Sequence, residues 1–169
     1  MNPSLTPDGA NRMAIGLARA RGLRYQEAEE KLRNLSLRIV WALPGSGTLA
    51  QQLALLTAAN TAARAFLGGV QVESPDDVPL VISIPRVTTL KAALEWAGVF
   101  SVALSNPTYT IYIGPPDDRA QPDDVVIFCD AWRGGACDVR EATNFLMGDQ
   151  DPLGLGGICA GAIGVHRCF

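Results

Sequence analysis

The stretch that decides the fold is Ser36-Leu37-Arg38-Ile39-Val40-Trp41-Ala42-Leu43, followed by Pro44-Gly45-Ser46-Gly47 and then the alanine- and leucine-rich run from Thr48 to Phe66. Six of these first eight residues are apolar, Ile39, Val40 and Trp41 among them, and the run reads as a strand. Pro-Gly-Ser-Gly reads as a turn, and the run after it is long enough for a helix rather than a strand. Gly68-Gly69 breaks that helix, and Val70-Gln71-Val72 starts a second strand. The unit is therefore strand, glycine turn, helix, strand, the minimal parallel crossover.

Working outward, Leu80–Ile84 reads as a strand, Thr88 or Thr89 as the cap of a helix running to Gly98, and Asp124–Cys129 as a strand buried on both faces. Val99–Leu104 and Tyr109–Ile113 read as two strands joined too tightly for a crossover, hence as an antiparallel hairpin. Residues 132–148 are glycine-rich and ambiguous. Leu155–Phe169 reads as a helix of small residues, although its glycines oppose helix formation. Ahead of the sheet, Thr6-Pro7-Asp8 carries the signals of a helix start, Gly22 those of a stop, and a second helix follows over Tyr25–Leu35. The expected class is α/β: a Rossmann-like, mainly parallel mixed sheet flanked by helices, with an N-terminal helical pair. Residues 1–35 form the helical extension and 36–169 the Rossmann-like domain.

Composition narrows the function. The 169 residues are 48% apolar and 18% charged, which suits one folded domain rather than a disordered chain. The net charge is −3, and no basic run marks a nucleic-acid surface. Arg12, Arg19, Arg21, Arg24, Lys31, Arg33 and Arg38 alternate with Glu27, Glu29 and Glu30 and read as a solvated helical face. No apolar run is long enough to span a bilayer, and the start lacks the marks of a signal peptide. The expectation is a cytoplasmic protein without a membrane partner. Its four cysteines, Cys129, Cys137, Cys159 and Cys168, form no C-x-x-C pair. They read as reduced thiols rather than metal ligands or a disulfide framework.

Gly45-Ser46-Gly47-Thr48-Leu49-Ala50 fits G-x-G-x-x-G/A between a strand and a helix. In that pattern Gly45 permits the tight turn, Gly47 lets the backbone approach a phosphate, and Ala50 lets helix and strand pack closely. Free N–H groups of Ser46 and Thr48 at the helix amino end would then face the anion. Glu73, after the second strand, is placed to hold a ribose hydroxyl. Asp130, closing the strand 124–129, stands where a carboxylate faces the ligand crevice of an open sheet. Lys91 is a candidate phosphate contact. The plain alternatives are a strand-to-helix turn with no ligand, an Asp that caps a turn, and a solvated lysine. Cys137 lacks a histidine partner, and the single histidine, His166, sits near the end of the chain.

These features resemble the ThiF/HesA/MoeB group of E1-like activating proteins. The resemblance rests on Gly45 to Ala50 after a strand, the long helix, Glu73, the segment 124–130, and Asp151-Pro152-Leu153-Gly154 before a small-residue helix. It implies ATP and Mg2+ at the glycine turn and adenylation of the C-terminal carboxylate of a ubiquitin-like or sulfur-carrier protein. By position, Gly45 and Gly47 would face phosphates, Glu73 the ribose, and Asp130 would be the magnesium-side or catalytic aspartate. Homo- or heterodimers are expected. The chain departs from the pattern: it lacks the Arg–Gln pair after the second strand and the C-x-x-C zinc pairs, and it stops where members continue. A degenerate, non-catalytic domain fits those departures, as does an interaction module. The glycine pattern would equally serve a nicotinamide-dependent oxidoreductase fragment.

Overall fold

The computed structural model describes residues 7–130, 133–144 and 154–168. Two helices, α1 (Pro7–Arg21) and α2 (Tyr25–Asn34), precede β1 (Leu37–Trp41); α3 (Leu49–Ala65) leads from β1 to β2 (Val70–Glu73). The chain then forms β3 (Pro79–Ile84), β4 (Val87–Thr89) and α4 (Leu90–Trp96) before β5 (Tyr109–Ile113), β6 (Val125–Asp130) and β7 (Arg133–Asp138). A 3-10 turn (Val139–Asn144) and α5 (Leu155–Arg167) complete it. The main sheet has the order β2-β1-β5-β6-β7. β2, β1, β5 and β6 run parallel, and β7 pairs antiparallel with β6.

The alternation of β1 divides its side chains between two faces. Leu37, Ile39 and Trp41 join the large core with α3, α4 and α5, whereas Val40 packs with Tyr112, Val126 and Cys137 in a smaller cluster under Ala120, Val139 and Ala142. Helices thus cover one face, and the 114–124 loop with the 3-10 turn covers the other. α3 begins where expected because Thr48 caps it, its Oγ1 accepting from Gln51 N. Thr89 caps α4 in the same way. Cap position Thr6 and the segment 151–153 lie outside the described residues.

Three readings of the sequence change. First, 99–104 is not a strand and forms no hairpin with β5. It runs beside the edge strand β2, with Val102 N donating to Val70 O at 3.0 Å and Val72 N donating to Ser101 Oγ at 2.9 Å. Its apolar character misled because Phe100 and Val102 lie about half exposed. Second, Pro79–Ile84 pairs with β4 in a separate two-stranded sheet. Third, the ambiguous glycine-rich stretch holds β7, which makes the sheet mixed. Gly135 leaves room there for the Phe128 ring, which a Cβ would meet at 2.7 Å.

α5 forms despite its glycines because they are its contact surface. A Cβ on Gly157 or Gly161 would overlap the backbone of Ala50 or Ala54, so α5 lies backbone to backbone on α3. The cysteines are free thiols, three buried and Cys159 exposed. No described helix is long and apolar enough to cross a membrane.

Candidate functional site

The chain leaves β1 toward β2 on one side and returns to β5 on the other. The switch point therefore lies between the carboxyl ends of β1 and β5, where open α/β sheets place their ligands. The glycine turn sits there. Gly45 and Gly47 both take φ +63°, a conformation that favours glycine. A Cβ on Gly45 would meet nothing within 4 Å, so only the turn's geometry demands that glycine.

Gly47 packs inward. A Cβ there would lie 2.7 Å from the Trp41 ring and 2.9 Å from Gln51 Oε1, so the turn closes on its own core. The amino end of α3 is also closed. Thr48 N donates to Gln51 Oε1 at 2.7 Å and Gln51 N donates to Thr48 Oγ1 at 3.3 Å, a reciprocal capping box. Ser46 contributes its carbonyl, which accepts from the buried Gln52 Nε2 at 2.9 Å. The same amide donates to Pro79 O at 2.7 Å and accepts from Val81 N at 2.8 Å, tying the turn to β3. At the switch point itself Leu43 lies against Gly114, where a Cβ would come within 2.9 Å of its side chain.

The remaining residues expected at the site are dispersed. Glu73 registers with Val40 and so lies on the face away from α3. It accepts from Arg119 Nη2 at 3.2 Å and from Gln71 Nε2 at 3.2 Å, and Arg38 Nη1 stands 4.0 Å away. Lys91 donates to Asp76 at 2.9 Å, which raises its pKa. Lys91 and Asp76 line a 360 Å³ cavity with Val72, Leu94 and Phe100, a cavity whose lining does not include the glycine turn. Asp130 closes β6 in register with Arg133, and its side chain lies outside the described residues. Cys137 is buried, and burial pushes its thiol pKa up, the opposite of an activated nucleophile.

Residues the sequence reading passed over form the polar network of the other face. Buried Tyr112 donates to Asp117 Oδ1 at 3.2 Å, and burial pushes its hydroxyl up to about 12. Arg119 grips Asp117 through Nε at 2.9 Å and Nη2 at 2.7 Å, which holds that carboxyl below its usual range. Arg38, read as part of a solvated helical face, is on β1 and 17% exposed. A charge inside the apolar run SLRIVWAL was the available signal.

A phosphate cradle needs outward N–H donors and nearby cations. Here two of the helix-end donors are satisfied internally, the turn glycine packs inward, and Lys91 and Glu73 are ion-paired elsewhere. The arrangement as it stands does not fit the phosphates of ATP.

The topology and the closed turn define a Rossmann-like α/β domain carrying an N-terminal helical pair. The chain belongs to the family of the BilD N-terminal domain, whose family model matches residues 36–169. It is 28% identical over 153 residues to the bacterial E1-like protein BilD of Collimonas sp. (strain OK412), with 84% of this chain and 32% of that protein covered. The chain thus spans about a third of the length of that curated relative. No solved structure matches it.

Proposed function

We propose that this chain is a divergent E1-like domain that does not adenylate on its own and acts as an interaction module, its partner being an adenylating E1-like unit or a ubiquitin-like protein. The family and the E1-like relative support the class. The observation that carries the non-catalytic reading is the reciprocal Thr48–Gln51 cap, which occupies the helix end where ATP would place a phosphate. Opening that cap for a ligand would forfeit two hydrogen bonds, each worth about 0.5–1.5 kcal/mol, and Lys91, the cation expected at the phosphate, is paired with Asp76.

The test is calorimetry of the chain with ATP–Mg2+ and separately with NAD, followed by pyrophosphate exchange with a candidate ubiquitin-like protein. The expected result is no saturable binding of either nucleotide and no exchange. Exchange by this chain alone, abolished by Asp130→Ala, would overturn the reading in favour of an active adenylating domain. Tight binding of NAD alone would favour an oxidoreductase fragment.

A further inference from the structure

At the end of the sheet opposite the glycine turn, the amino ends of β1, β5 and β6 border a groove of about 530 Å³. Arg38, Asn106, Thr108, Arg119, Gln121 and Asp124 are among its lining residues. It opens on the face that carries Arg38 and Thr110, which are in register on adjacent strands.

Arg38 is short of partners. A guanidinium has five N–H donors in a rigid fork. Among the described residues, Nη2 donates to Thr110 Oγ1 at 3.3 Å and Nη1 stands 4.0 Å from Glu73 Oε1. Nε is shielded from solvent and has no hydrogen-bond partner. Glu73 is closer to Arg119, at 3.2 Å, so its charge is shared. The groove's acids, by contrast, are engaged: Asp124 Oδ2 accepts from Gln121 N at 2.8 Å and Asp123 pairs with Arg140 at 3.1 Å. A half-satisfied, largely buried cation is costly to a fold.

We propose that this groove is a carboxylate-binding site in which Arg38 is the principal ligand. Two acceptor oxygens in one plane match the Nη1–Nη2 edge of the guanidinium, where Nη2 holds one long bond of 3.3 Å and Nη1 stands 4.0 Å from its nearest carboxylate. The charge of the surroundings selects among anions. Asp123 and Asp124 line the groove with Arg38 and Arg119, and Arg119 is further paired with Asp117 and Glu73, so a dianionic phosphate meets more repulsion than a singly charged carboxylate. The exposed Asn106, at the rim, adds an uncharged amide that can donate to the same group. The carboxylate can belong to a small free acid or to the end of a peptide. This inference is independent of the reading of the glycine turn, which lies at the other end of β1.

The experiment is NMR of the 15N-arginine-labelled chain at constant ionic strength, following the Arg38 Nε–H signal, which is assigned by its loss in Arg38→Lys. The probes are acetate, N-acetyl-trialanine with a free C-terminus, the same peptide amidated, and inorganic phosphate. The expected result is a saturable shift with acetate or with the free-terminus peptide, none with the amidated peptide, and weaker binding of phosphate. Response to the peptide but not acetate assigns the source as a chain terminus, and the reverse assigns a small acid; both support the site. Arg38→Lys keeps the charge but loses the fork, and should weaken binding by about tenfold or more, read from chemical shifts of the neighbouring backbone. Asn106→Asp, an exposed change that leaves packing alone, should also weaken it and serves if Arg38→Lys fails to fold. No saturation with either carboxylate, equal binding of the amidated peptide, tighter binding of phosphate, or unchanged affinity in a folded Arg38→Lys would each overturn the proposal.

Discussion

At the scale of single residues, Gly47 separates a structural demand from a ligand-binding one. A left-handed backbone costs a non-glycine residue about 1–2 kcal/mol, and overpacking against Trp41 adds about 1–3 kcal/mol. Gly47→Val should therefore lower stability by several kcal/mol in urea denaturation. Gly45→Ala shares the φ of +63° but meets open space, and should show only the smaller backbone cost. Equal losses would mean that Trp41 does not hold Gly47 in place. Asp138 gives a second prediction, in pH. Its carboxylate accepts from Arg167 Nη2 at 2.8 Å and Arg140 Nη2 at 2.9 Å, and these cations hold its pKa below the ordinary 3.8. A carboxyl lowered in the folded state contributes stability that is fully present above 3.8 and is lost as pH falls through its folded value. Asp138→Asn should thus lower the melting temperature at neutral pH and flatten the acid limb below pH 3.8. Part of the limb should remain, because Asp117, lowered by Arg119, contributes with the same sign. An unchanged acid limb in Asp138→Asn would show that this bond between the end of β7 and α5 adds nothing to stability.

At the scale of elements, α5 inverts the usual effect of glycine. Gly16 in α1 has open space around it, so Gly16→Ala should leave stability unchanged or raise it by about 0.5–1 kcal/mol through helix propensity. Gly157→Ala gains the same propensity, but its Cβ overlaps the Ala50 carbonyl. The helices must separate, a strain of typically about 1–3 kcal/mol that should exceed the gain. Thermal melts of the two variants should move in opposite directions or, at the least, only the second should fall. Such contacts mark what a single sequence reveals. β1, α3 and β2 were readable because hydrophobic run, glycine break and cap all agree locally. β7 was not, since Arg-Gly-Gly-Ala-Cys-Asp is a strand only through its pairing with β6 and the room Phe128 needs above Gly135. The 99–104 segment failed the other way, with Phe100 and Val102 half exposed beside a strand the segment does not join. At the candidate site the glycine pattern was legible, but the inward packing of Gly47 and the Gln51 cap were not. Both depend on which way side chains turn once Trp41 and α3 are in place.

At the scale of the whole molecule, the question is how the helical pair relates to the domain that the family model matches. Charge divides the chain unevenly. Residues 1–35 carry six basic and four acidic side chains, and residues 36–169 carry eight and thirteen, so the helices are net +2 and the domain net −5. α1 packs mainly on α2, burying Ala14, Ala28 and Leu32, and also touches α3. The end of α2 is anchored differently. Gly68 N donates to Leu35 O at 2.8 Å and Thr108 Oγ1 donates to Asn34 O at 3.1 Å, so the loops before β2 and β5 take backbone acceptors from it. Leu35 also packs against the large core. Removing residues 1–22 should therefore expose the apolar side of α2 and cost about 1.5–3 kcal/mol, the equivalent of one large apolar side chain. Removing residues 1–35 should cost more than twice as much. It strips Leu35 from the core and leaves two donors unpaired at about 1–3 kcal/mol for each one that remains buried. The measurement is the thermal midpoint of the chain and of the two shortened forms at equal pH and salt. The expected order is full chain, then 23–169, then 36–169, with the larger step second. A larger first step would place the stabilising contacts in α1 and would make the helical pair, rather than the α2 junction alone, an integral layer of the fold.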